Sequence, residues 1–154
     1  MSTKTRISFE YFPPKTEAGK AKLIEETTPA LNALDPAFFS VTYGAGGSTR
    51  DTTRDIVSTI RAAGIDVAPH LSFGGDSADA VTALLDGYRE QGVSRLVALR
   101  GDMPSGMGGA MQLVHARELV TLIREHSGDH FHIEVAAYPE VHPEATSYAD
   151  DLQF

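Results

Sequence analysis

The sequence contains no cysteine. That excludes a disulfide framework, a thiolate metal site and a thiol nucleophile. It also lacks any apolar stretch approaching 18 residues, and no apolar signal segment precedes the first strand-like run at Ile7. The expectation is a soluble, cytoplasmic chain without a membrane span. Basic residues are outnumbered, 13 Lys and Arg against 21 Asp and Glu for a formal charge of −8, and no five like charges run together. Nucleic acids and anionic membranes call for clustered Lys and Arg, so the expected partner is neither, but a small molecule.

What is present fits one α/β domain over residues 1–154. At 42% hydrophobic residues, a chain of this length buries roughly 70% of its unfolded surface, enough for a single core. Five short apolar runs read as buried parallel strands: Ile7 to Phe12, Phe38 to Tyr43, Val67 to Leu71, Arg95 to Leu99 and His132 to Ala137. Helical patterns alternate with them. Thr16 to Leu34 is the least periodic. Ile56, Val57 and Ile60 follow a capping-box-like Ser48 and Asp51, with Gly64 as the stop. Ala80, Val81, Leu84, Leu85 and Tyr88 share one face before Gly92, and Leu113, Val114, Leu119, Val120 and Ile123 form the fourth pattern. His142-Pro143-Glu144 reads as the start of a fifth helix, with proline at its first position, that runs on to Phe154.

Strict alternation leaves two architectures, an open doubly wound sheet or a barrel. Spacing favours the barrel. The polar residues at the strand ends, Glu10, Thr42, His70, Arg100 and Tyr138, are 32, 28, 30 and 38 residues apart, and eight such units make about 250 residues, a usual (β/α)8 length. About five βα units of a TIM-type barrel are therefore expected here, an incomplete barrel.

In both architectures ligands bind beyond the C-terminal ends of the strands. Single polar strand ends commonly cap the next helix, but five in succession point to a converging site. Glu10 lies between Phe9 and Tyr11 and before Pro13-Pro14, so its carboxylate is expected to emerge among aromatic rings, where lost solvation favours the neutral acid and proton donation. An ion pair with an inward arginine such as Arg100 is the structural alternative. The loop Tyr43 to Thr49 is rich in glycine and enters a helix N-terminus, yet it matches neither G-x-G-x-x-G nor a P-loop, so a Rossmann dinucleotide site is unsupported. Arg100-Gly101-Asp102 sets opposite charges around a glycine at a strand end, and the glycines from Met103 to Gly109 read as a loop able to move over a ligand. His70, Glu140 and His142 lack metal-site spacing, so no metal is expected. His115, His126, His130 and His132 read as structural or exposed.

Four segments in this order resemble the methylenetetrahydrofolate reductase family: Phe9-Glu10-Tyr11-Phe12-Pro13-Pro14-Lys15-Thr16, Ser40 through Asp51, Ala98-Leu99-Arg100-Gly101-Asp102, and Glu134 through Ala145. The resemblance spans essentially the whole chain. It implies a (β/α)8 barrel carrying FAD at the C-terminal strand ends, with NADH or NADPH as co-substrate, which reduces 5,10-methylenetetrahydrofolate to 5-methyltetrahydrofolate and so feeds methionine synthesis. By matching motif, Glu10 is the general acid that helps open the methylene bridge, and Asp102 is a catalytic carboxylate near the flavin and folate rings. Thr42, His70, Arg100, Gly101, Asp102, Tyr138, His142 and Asp151 contact FAD, with Ala137 beside it by backbone.

A homo-oligomer is expected, because five parallel strands leave two open edges and an uncovered apolar interior. The resemblance places the basic residues that help hold the FAD phosphates, and the strands carrying a Gln and a Phe against folate and nicotinamide, after residue 154. Phe73 stands where the family often has Cys, and Phe154 where it has a polar residue. The competing expectation is a non-catalytic barrel fragment that serves at most as a binding or assembly module.

Overall fold

The computed structural model describes residues 5–43, 49–72, 77–100, 115–138, 140–142 and 145–153. Its strands are β1 (Ser8–Tyr11), β2 (Phe38–Val41), β3 (Val67–Leu71), β4 (Arg95–Ala98) and β5 (His132–Val135). All neighbouring strands pair in parallel, in the spatial order β1-β2-β3-β4-β5. Each predicted strand is present, shorter by up to two residues at its ends.

The strand order resolves the choice that periodicity alone left open. A doubly wound sheet reverses direction at a switch point and sends helices to both faces. Here the order never reverses. Helices α3 (Arg50–Ala62), α4 (Ala78–Glu90) and α5 (Ala116–Ser127) all bury their apolar residues in one core against the same side of the sheet. That is the singly wound pattern of a barrel, with five of its βα units in view.

Side chains alternate along a strand, so the parallel register sorts the sheet into two faces. Phe9, Tyr11, Phe39, Val41, Val67, Leu71, Leu96 and Ala98 meet the helices. Phe39 is fully buried and stacks on Phe9 and Tyr11 at centroid distances of 5.8 and 5.3 Å. The opposite face carries Glu10, Ser40, Ala68, His70, Arg95, Val97 and Glu134, a far more polar set. Arg95 lies 4.6 Å from the centroid of the Phe38 ring and 2.5 Å from Glu134 Oε1, so its charge is matched inside the concave side.

The helices start and stop for local reasons. In α4, Ser77 caps the N-terminus by accepting from the Ala80 amide at 3.2 Å, and Gly92 follows the helix at φ 75°, a conformation strained for any side chain. Ahead of them, α1 (Glu17–Lys22) passes through a π-helical turn (Leu23–Thr27) into α2 (Thr28–Asn32). Pro29 explains the widening. It cannot donate to the carbonyl four residues back, and its ring needs room there.

Ser48, the first residue of the expected capping box, lies outside the described residues, and Thr49 precedes α3 without a side-chain cap hydrogen bond. One helix start differs from the sequence expectation. The fifth predicted helix begins at Tyr148, as α6 (Tyr148–Gln153), rather than at His142. The Ala145 amide donates to the His142 carbonyl at 2.9 Å, which makes a turn there instead. Leu113 and Val114, assigned to the fourth helical pattern, lie outside the described residues.

Candidate active site

The C-terminal ends of the strands gather most of the predicted polar residues at one edge of the sheet. Glu10 is the penultimate residue of β1, and it faces away from its aromatic neighbours. Phe9 and Tyr11 point to the helices, because adjacent strand residues project to opposite sides. The aromatic pocket expected around Glu10 is thus a correction: its side chain is 50% exposed. The group that Glu10 meets is His70. Oε2 of the carboxylate lies 3.2 Å from His70 Nε2 and accepts from Ser40 Oγ at 3.5 Å.

His70 is the last residue of β3 on the face away from the helices, with a side chain only 8% exposed. The Glu10 contact is an ion-pair distance without hydrogen-bond alignment, so Nε2 has no hydrogen-bond partner among the described residues. Burial lowers the imidazole's pKa from 6.5, with the Glu10 charge and contact opposing that shift. The uncharged ring is therefore favoured at neutral pH. In the unfolded chain the ring takes a proton more readily, so this group's contribution to stability is present above the ordinary imidazole range and is lost as pH falls through its lowered value.

Thr42, just past β2, is fixed by its backbone. Its amide donates to the Tyr11 carbonyl and its carbonyl accepts from Thr53 Oγ1, both at 2.9 Å. Arg100 follows β4 half-buried, after the Leu99 amide has extended the β3 pairing through the Leu71 carbonyl at 2.9 Å. After β5 come Ala137 and Tyr138, both exposed. The Tyr138 ring meets His142 edge-on at 4.8 Å, and the His142 amide donates to Asp151 Oδ2 at 3.0 Å. Tyr138, His142 and Asp151 thus form one cluster. Gly101, Asp102 and the loop at 44–48 lie outside the described residues.

Three of the remaining histidines have structural partners. His130 Nε2 lies 3.1 Å from the Val93 carbonyl, His126 pairs with Asp86 at 3.0 Å, and His132 with Glu134 at 3.2 Å. Among the described residues no three His, Asp or Glu side chains are placed to share a metal ion. None of the described helices is long and apolar enough to cross a membrane. The sequence reading missed Ser40, only 6% exposed and in register with Glu10. Its signal was available, because Ser40 and Thr42 share the period-two face of β2.

A singly wound parallel sheet with an acid, an imidazole and hydroxyl donors at its C-terminal edge defines a barrel of the enzyme type. The comparisons make the family specific. The family model described as methylenetetrahydrofolate reductase matches residues 1–154. The chain is 42% identical over 150 residues to the 5,10-methylenetetrahydrofolate reductase of Pectobacterium carotovorum subsp. carotovorum, covering 97% of this chain and 49% of that protein. The enzyme of that name from Escherichia coli (strain K12) is 42% identical over 147 residues, 95% of this chain and 48% of the relative. A Zea mays relative named methylenetetrahydrofolate reductase (NADH) 1 is 36% identical over 165 aligned residues, 98% of this chain and 28% of its own. The chain belongs to the methylenetetrahydrofolate reductase family. It spans about half the length of the bacterial relatives.

Proposed function

We propose that this chain supplies the acid-bearing half of a flavin-dependent barrel that reduces 5,10-methylenetetrahydrofolate to 5-methyltetrahydrofolate with NADH or NADPH. The observation that carries the reading is the Glu10 carboxyl, anchored through Oε2 beside His70 and Ser40 and open to solvent at the ligand-binding edge. Family membership adds the substrate class.

The donor set suits FAD. Thr42 and Tyr138 offer hydroxyls, Arg100 a guanidinium and His142 an imidazole, at the edge where a phosphate-bearing dinucleotide with polar ring carbonyls would lie. Ala137 and Asp151 stand beside them, and the motif adds Gly101 and Asp102. Held there by Thr42, His70, Arg100, Tyr138 and His142, FAD would supply the hydride-transfer chemistry between the nicotinamide and the folate. The protein's part is to orient the rings, exclude water and place one proton. Glu10 gives that proton to the folate amine as the methylene bridge opens, becomes a carboxylate, and regains a proton from solvent through its exposed side.

Activity is tested in a completed barrel, this chain joined in frame to the C-terminal half of the Escherichia coli relative. In it Asp102→Asn, which removes the negative charge that the family motif puts near the rings, is expected to slow hydride delivery to folate by a factor of tens to hundreds, equivalent to about 1.4–3.4 kcal/mol. Stopped-flow flavin absorbance measures it. An unchanged rate would remove Asp102 from the catalytic set.

A second reading, that the 154-residue chain acts as an assembly module, is favoured by apolar side chains exposed at and beyond the free edge strands: Ile7 at 51%, Phe12 at 77% and Val135 at 56%. Unpaired parallel edges beside such groups promote association. The isolated chain is expected to self-associate. Sedimentation velocity checks this, and a monodisperse monomer would contradict it.

A further inference from the structure

We propose that His70 is the positioning residue of the Glu10 carboxyl: with Ser40 it occupies Oε2, so that Oε1 is the oxygen that takes up and gives the transferable proton. This rests on the reading of Glu10 as the proton donor. Among the described residues, His70 and Ser40 both approach Oε2, at 3.2 and 3.5 Å, from β3 and β2. A carboxyl whose Oε2 accepts two donors carries its own proton on the other oxygen. The imidazole is buried and the carboxyl is half-exposed, so a small rotation of the carboxyl about its last torsion would align the pair. Such contacts tighten when substrate binds.

The charge of the imidazole decides whether the arrangement works. A neutral N–H orients the acid without stripping its proton, while an imidazolium at the same distance would favour the carboxylate and withdraw the acid. Burial of His70 keeps the ring neutral. Among the described residues, Glu10 is the carboxylate in direct contact with it. Arg95, His132 and Glu134, on the same face of β4 and β5, are tied to one another by Glu134 contacts of 2.5 and 3.2 Å. From β2 the neighbour is the neutral Ser40, and Arg100 follows the end of β4.

The consequence is an inverted pH response. A simple general acid gains activity as pH falls, but this site loses folate reduction on the acid side, where His70 takes up a proton. The first test uses the 154-residue chain and imidazole NMR titration. Glu10→Gln, at a half-exposed position, is expected to move the His70 titration to lower pH, because the charge that opposes the burial effect is gone. An unmoved titration overturns the proposal, whatever the enzyme's activity.

The second test follows the pH profile of the folate half-reaction in the completed barrel. His70→Ala is expected to lose about tenfold or more of that rate. His70→Gln, whose amide donates but cannot ionise, is expected to recover part of it and to lack the acid-side decline. Retention of the wild-type acid limb in His70→Gln overturns the proposal. Absence of folate reduction in the unsubstituted barrel would instead defeat the functional reading, and the titration would still decide the pairing.

Discussion

Glu10→Gln in the completed barrel is expected to reduce the folate half-reaction by about 10²- to 10⁴-fold, the usual contribution of a positioned acid, while flavin reduction by NADH or NADPH stays near its unsubstituted rate. The asymmetry follows from the chemistry. Opening the methylene bridge requires a proton at nitrogen, whereas hydride transfer from nicotinamide to flavin needs none from this carboxyl. Glutamine keeps the size of the side chain and can still accept from Ser40, so the site retains its shape beside His70 and loses only its acid. Stopped-flow absorbance for each half-reaction separates the effects. Equal losses in both would make Glu10 a structural residue.

Phe39→Ala is expected to have the largest effect on stability. The ring is fully buried in the middle of β2, between Phe9 and Tyr11 on one side and the helix-borne core on the other. Truncation removes the transfer free energy of the ring and leaves a cavity that neighbouring strands cannot close without breaking register, at a cost of about 3–5 kcal/mol. Against a total stability of roughly 5–15 kcal/mol, that is a large share. Chemical denaturation under conditions where the chain is monodisperse measures it. A loss under about 1 kcal/mol would mean that the core is not organised around this ring.

The fold was legible because its strongest signals are local. Apolar runs such as Val67 to Leu71 and the face formed by Val81, Leu84, Leu85 and Tyr88 mark buried strand and helix directly. The spacing between strand ends identified the barrel before strand order did. Helix starts were less legible. Proline after His142 suggested a first turn, but the chain makes a separate turn there and Ser147 accepts from the Asp150 amide at the start of α6.

The site was half legible for a physical reason. Motifs name residues along the chain, whereas strand geometry assigns them to faces, and the reading of Glu10 among aromatic rings followed sequence adjacency instead of the two-residue period. Applied to β1 and β2, that period puts Glu10 and Ser40 on one face and the aromatics on the other. The contact with His70 is harder to foresee. It joins β1 to β3 across β2 and depends on the register of three strands, which no local pattern encodes.

The central claim, that this chain forms the proton-donating and flavin-binding half of a methylenetetrahydrofolate reductase, is tested most directly by one anaerobic experiment. The completed barrel is loaded with FAD, bleached with NADH or NADPH, and mixed with 5,10-methylenetetrahydrofolate in a stopped-flow spectrometer. The account predicts that the flavin absorbance returns as 5-methyltetrahydrofolate forms in equal amount, and that the return slows at low pH. Flavin that bleaches normally but stays reduced in the presence of the folate would contradict it.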